Sequence, residues 1–267
     1  MASDRVQHHR VSMPDTLPEP RRIEPADLVH ALWRGWQDFR RAPAFGLLFS
    51  AFYVAGGLVL AAVALAVGRD WWLVPFVLGF PLIAPFAAVG LYEVSRRIEA
   101  GRPLDWPAVI RVVFAQRDRQ IPSMAVVILL MFMFWVFVAH TIFALFLGTS
   151  PMVNVTSSAE ILATPRGIGM LIIGGAIGLG FAAALFTFSV FGLPLLLERE
   201  TDLISAIIVS TEAVRLNLPV MAAWAAFIAV ALLVAMLPLF LGLFVALPVL
   251  GHATWHLYRC AMVDEAG

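Results

Sequence analysis

Residues 251–259 read GHATWHLYR, with His252 and His256 four apart. On a helix that spacing puts both imidazoles on one face, where they could serve a zinc ion, and imidazole is also a common haem ligand. Either centre needs further ligands. Of the six histidines, His8 and His9 fall near the N-terminus, His30 in a polar amphipathic stretch, and His140 is the remaining one within an apolar run. At 1.5 Å per residue His140 sits about 27 Å from the Arg-flanked end of its run, whereas His256 sits within about 5 Å of the equivalent end of its own. The three cannot converge. Glu93 and Glu198 do have a suitable depth, so a His/Glu metal site is the alternative that stays open. The reading adopted is that the pair ligates neither haem nor metal, and no cofactor is expected. One imidazole should bond a carboxylate or a backbone carbonyl while Trp255, Tyr258 and Arg259 anchor the helix end. Purified protein is then expected to show no Soret absorbance and no stoichiometric metal.

Glu93 and Glu198 each stand near the end of an apolar run. Buried in hydrocarbon they could be proton or cation sites; at its edge they would pair with Arg96, Arg97 or Arg199, and the second reading is preferred. The candidate polar cluster is thus Glu93, Arg96, Glu198, His252, His256 and Arg259. Other signals point away from chemistry. Gly174, Gly175, Gly178 and Gly180 follow no strand signal and precede no Lys-Ser/Thr pair, so close helix packing explains them better than a phosphate cradle. Asn154-Val155-Thr156 matches a glycosylation acceptor by chance length. Cys260 is the one cysteine, which excludes an intramolecular disulfide. Ser and His form no nucleophile–base arrangement, and no paired carboxylates occur mid-run, so an enzyme is not expected.

The elements that must hold these residues are membrane helices. Of 267 residues 61% are hydrophobic and 13% charged, with mean hydropathy +0.89. A soluble domain is about 45–50% apolar and about 25% charged. Six runs reach the roughly 20 apolar residues that a bilayer requires. They cover 45–67, 71–95, 122–147, 168–197, 219–238 and 239–258, giving an all-α bundle of six transmembrane helices in three hairpins. All 18 basic residues are arginines, balanced by 18 acids, so net charge favours no acidic partner and no nucleic acid. All but Arg69 and Arg166 fall on one side of the six-span scheme, which predicts cytoplasmic N- and C-termini. Residues 1–22 lack the apolar core of a signal peptide and read as a disordered cytoplasmic tail ahead of one membrane domain, 23–263.

Three polar-flanked stretches look alike: DLVHALWRGWQDFRRAP at 27–43, DWPAVIRVVFAQRDRQIP at 105–122 and DLISAIIVSTEAVRLNLP at 202–219. Each opens with an Asp suited to capping and closes with a Pro suited to starting a helix. Apolar residues recur at helical spacing: Leu28, Leu32, Trp36 and Phe39; Trp106, Val109, Ile110 and Val113; Leu203, Ile207, Ile208 and Val214. These predict amphipathic helices on the inner membrane face, with Trp33, Trp36 and Trp106 at headgroup level. An interfacial helix plus a hairpin would then recur at 27–97, 105–197 and 202–259. The spacing of Pro85, Tyr92 and Arg96 is repeated by Pro248, Trp255 and Arg259. Two spans per copy leave all copies in one orientation, unlike inverted-repeat transporters.

The stretches RRIEPADLVHALWRGWQDFRRAP, GLYEVSRRIEAG and LPVLGHATWHLYR resemble a bacterial family of predicted integral membrane proteins of unknown function, domain of unknown function 2189, over about residues 22–262. The resemblance implies a bacterial inner-membrane protein, with some relatives labelled putative cytochrome c oxidase, and it brings no catalytic residue. An oxidase catalytic subunit needs six histidine ligands on more spans than this chain offers. Two function classes follow. The first is a non-enzymatic structural, assembly or accessory component of a membrane complex, such as a respiratory one, with the lipid bilayer and that complex as partners. The second is a small-solute or lipid-interacting transporter, for which His140, Thr141, Thr187, Ser189 and the two glutamates would supply a polar path. Oligomeric state is not legible.

Overall fold

The computed structural model describes residues 17–67, 74–148 and 164–263. Most of the expected tail, with His8 and His9, the connection around Arg69 and the Asn154 triplet lie outside the described residues. The described residues are all-α apart from one short strand pair. In order come β1 (Glu19–Pro20), α1 (Pro25–Arg41), α2 (Pro43–Val67), α3 (Val74–Glu99), α4 (Trp106–Ala115), α5 (Ile121–Leu147), α6 (Pro165–Ser189), α7 (Gly192–Glu198), α8 (Leu203–Leu216), α9 (Leu218–Met236), α10 (Leu243–Ala261) and β2 (Met262–Val263).

The prolines punctuate the chain as expected. Pro43 is the first residue of α2, and Pro122 and Pro219 occupy the first turns of α5 and α9, where a missing N–H costs nothing and the fixed φ is already helical. The aspartates act less uniformly. Asp202 caps α8 by accepting from the Ser205 N–H at 2.9 Å. Asp105 precedes α4 without a side-chain cap bond. Asp27 lies inside α1 and completes a capping box instead: Glu24 is the N-cap, and its backbone N–H donates to Asp27 Oδ2 at 2.8 Å.

The fourth apolar run is not one straight helix. It breaks between α6 and α7, four residues ahead of Pro194, whose ring excludes the Val190 carbonyl and whose nitrogen cannot donate to it. Ser210 of α8 closes the gap. Its hydroxyl donates to the Thr187 carbonyl at 2.6 Å and accepts from the Phe191 N–H at 3.3 Å. Without the break, 34 residues would run about 51 Å, well beyond a hydrocarbon core of about 30 Å.

Among the described residues three stretches are long and apolar enough to cross a membrane: Ile121–Phe146, Pro165–Glu198 and Leu218–Met236. A fourth arises if Pro25–Arg41 and Pro43–Val59, which meet at 99°, count as one bent span. Within the bundle α2 packs on α3, α5 on α6 and α9 on α10. Helix α10 is central, touching α1, α2, α3 and α9. The turn from 237 to 242 that delivers it carries Leu239 and Phe240 at positive φ, so the last helix begins at Leu243 rather than at 239.

The expected glycine packing is selective. A Cβ on Gly178 would stand 2.9 Å from the Trp135 ring, and one on Gly174 would just reach Ile142. Gly175 and Gly180 meet nothing within 4 Å. The tighter approach is elsewhere. A Cβ on Gly35 of α1 would lie 2.6 Å from the Ala253 nitrogen and 2.7 Å from the Val249 oxygen, both backbone atoms of α10.

Candidate functional site

Helix α10 ends in two buried faces. His252, Trp255, His256 and Tyr258 are all enclosed, while Arg259 is exposed. The imidazoles are reached from two other helices. Ala31, Gly35 and Asp38, the buried residues of α1, lie at i, i+4 and i+7 on one face. The two small residues let α1 come against α10, and Asp38 then meets His256: Nε2 to Oδ2 is 2.7 Å. From α3, Ser95 Oγ lies 2.8 Å from His252 Nδ1 and stands near enough to Asp38 to favour its carboxylate. Asp38, Ser95, His252 and His256 therefore form one chain of polar contacts across three helices, each at most 5% exposed.

Electrostatics at Asp38 are decided by partners over burial. Burial alone would push its carboxyl up, but the His256 hydrogen bond and charge, with the Ser95 hydroxyl and the His252 charge, hold it below the ordinary carboxylate value. The Ser95 hydroxyl has one proton and two claimants, the carboxylate and the His252 ring. If it donates to Asp38, His252 donates from Nδ1; if it donates to Nδ1, the ring proton sits on Nε2. That Nε2 has no partner of hydrogen-bond geometry. A proton can shift along such a chain, yet no substrate can reach a serine with 0% exposure. Nor is it a nucleophile triad, since the histidine bonded to Asp38 is not the one bonded to Ser95.

Around this core lie the ion pairs. Glu93 is wholly buried and holds two arginines, Arg96 at 2.6 Å and Arg97 at 2.7 Å. Glu198 accepts from Arg259 Nη1 at 2.7 Å and from the Tyr258 hydroxyl. Trp255 Nε1 donates to Glu99 at 3.2 Å, and its ring stacks on Tyr92 with centroids 6.4 Å apart. The six candidate residues thus gather at one end of the bundle, but as separate pairs. His256 has its carboxylate, and it is Asp38 rather than Glu93 or Glu198. His140 is exposed, its Nδ1 against the Val136 carbonyl of its own helix at 2.7 Å. Among the described residues no three His, Cys, Asp or Glu side chains come together as a metal site.

Residues 73–198 match the model of DUF2189, predicted integral membrane protein. This is the family that the sequence resembles. Its matched stretch runs from the start of α3 to the end of α7, shorter than the resemblance suggested, and includes GLYEVSRRIEAG but not the other two stretches that carried the likeness. The DUF2189 region supplies Glu93, Ser95, Arg96 and Glu198. Asp38, His252, His256 and Arg259 come from outside it. No curated protein and no solved structure matches the chain.

Asp38 and Ser95 were not legible as site residues. A signal for Asp38 existed: Ala31 and Gly35 are small residues four apart, the spacing that lets helices approach closely, and Asp38 continues their stripe opposite Trp33 and Trp36. A buried acid on a helix–helix face needs a basic or hydrogen-bonding partner. Nothing local says that the partner lies 218 residues away.

Proposed function

We propose that the chain is a six-span protein of the bacterial inner membrane, in three hairpins with both termini cytoplasmic, each hairpin preceded by an interfacial helix. Its role is that of a structural, assembly or accessory component of another membrane complex, a respiratory one being the first candidate, and not that of a catalyst. Order of elements supports the plan: α1, α4 and α8 each precede a proline-started apolar helix, matching units 27–97, 105–197 and 202–259. The 99° turn between α1 and α2 also supports it, because a helix perpendicular to a span lies along the membrane. Val29 at 69%, Trp33 at 56% and Trp36 at 38% exposure then face headgroups or a partner. The observation that carries the functional reading is the placement of charge. Glu93, Glu198, Asp38 and His256 are paired with neighbours at one end of the bundle. Deeper, Thr141, Thr187 and Ser189 turn their hydroxyls back onto their own helices, which leaves a transporter's polar path without those members.

Reporter fusions test the plan. Those after residue 155 should score as external, and those after 110, 210 or 267 as cytoplasmic; an external C-terminus overturns it. Purification in mild detergent should retain a stoichiometric membrane-protein companion. Solute flux that depends on the chain in reconstituted vesicles would replace the accessory role with transport.

A further inference from the structure

Between α2, α3, α9 and α10 lies a cavity of about 270 Å³. Its polar groups are Ser50, Tyr53, Tyr92 and Thr254, and its apolar wall includes Ile228 and Leu232. Thr254 donates to the Leu250 carbonyl four residues back, as Thr141, Thr187 and Ser189 do to theirs. Ser50 does not. It is 1% exposed and its Oγ has no hydrogen-bond partner. A buried hydroxyl without a partner is costly, and a helical serine can ordinarily satisfy itself on the preceding turn. Ser50 lines the cavity with its hydroxyl unbonded and covered, and a turn about χ1 is what would present it to an acceptor there.

Which acceptor follows from the surroundings. Among the described residues that line the cavity none is charged, so a phosphate or carboxylate would be buried without a counter-ion. Ile228 and Leu232 are half-buried, so this wall also touches the exterior of an apolar bundle, where hydrocarbon is the solvent. Ser50 stands seven residues into α2, about 10 Å along its axis, deeper than a charged headgroup would sit. We propose that the cavity binds a neutral lipid bearing a carbonyl group, with the hydrocarbon body against the apolar wall and the carbonyl oxygen accepting the Ser50 hydroxyl.

The test uses the full chain, purified in a maltoside detergent and stripped of lipid. Titration with 1,2-dioctanoylglycerol should raise the melting temperature saturably, while dioctanoyl phosphatidylglycerol at equal concentration should not. Ser50→Ala removes only the hydroxyl, and since that group is unpaired the lipid-free variant should fold at least as stably. Its apparent affinity for the glyceride should fall about fivefold, the worth of one hydrogen bond. Ala88→Phe, which fills the lining, should weaken binding at least tenfold, and Leu145→Phe, at a side chain 79% exposed on α5, should leave it unchanged. Equal stabilisation by both lipids, no saturable shift, or unaltered affinity in Ser50→Ala would overturn the proposal; that variant decides the matter even if Ala88→Phe fails to fold.

Discussion

Gly35→Ala should destabilise the protein by more than its one methyl group suggests. In most helices the change gains roughly 1 kcal/mol, because alanine has less backbone entropy to lose. Here the added Cβ would stand 2.6 Å and 2.7 Å from backbone atoms of α10. Backbone cannot rotate out of the way, so α1 must retreat by about 1 Å to restore ordinary contact near 3.5–4 Å. That retreat also stretches the 2.7 Å bond between Asp38 and His256. Overpacking alone costs about 1–3 kcal/mol, and loss of the pair adds to it. Gly175→Ala is the internal comparison, since nothing lies within 4 Å of its would-be Cβ; it should be neutral or slightly stabilising. Thermal unfolding of both variants in the same detergent checks the prediction, and equal effects would show that α1 does not seat where described.

Asp38→Ala should be the second severe lesion. It leaves the buried His256 without its carboxylate. Leaving a buried hydrogen-bonding group without its partner costs about 1–3 kcal/mol, and more where that group is charged. Asp38→Asn keeps an acceptor oxygen for the His256 N–H and should lose less than half as much. The pH dependence has a defined sign. Because the native Asp38 carboxyl titrates below its ordinary value of 3.8, its contribution is fully present above that value and is lost as pH falls through the lower native one. The difference in melting temperature between wild type and Asp38→Asn should therefore shrink as pH falls below the ordinary carboxylate range. A difference that already shrank between pH 7 and 5 would place the proton elsewhere in the chain of contacts.

What the sequence disclosed and what it withheld divide along a physical line. Local signals were readable. Pro43, Pro122 and Pro219 start helices because proline prefers a first turn, and the turn at 237–242 interrupts the last apolar stretch as its composition suggests. Asp202 caps its helix because a carboxylate three residues before a serine N–H has little else to do. The polar cluster was legible as a list but not as a set of partners. Glu93 and Arg96 are three apart on one helix, and their pairing follows from spacing. Pairing of His256 with Asp38 depends on two helices crossing at Gly35, a tertiary event without local trace. Apolar periodicity drew attention to the side of α1 that holds Trp33 and Trp36 and left its protein contact, through Ala31, Gly35 and Asp38, unmarked. In a soluble protein the oily stripe goes inward, but beside a membrane Trp33 and Trp36 can face outward while small residues and an acid make the protein contact. The interruption at Val190 was hidden for another reason: hydropathy sees Pro194 as acceptable in an apolar run, whereas the hydrogen-bond ladder does not.

The first and last described segments are fastened to each other. Glu19 pairs with Val263 and Pro20 with Met262 in the two strands, the Arg21 N–H donates to the Ala261 carbonyl at 2.8 Å, and Asn217 accepts from the Ile23 N–H at 2.8 Å. Such a clasp dictates a schedule. A ribosome adding about 5–20 residues per second makes Asp38 roughly ten to forty seconds before His256 exists, and throughout that interval the first helix lacks its main packing partner. Until the final helix is made, the face of α1 that carries Ala31, Gly35 and Asp38 lacks the helix it packs against. A chain cut short before α10 should therefore leave its first helix without the surface that closes over Gly35 and without the partner of Asp38.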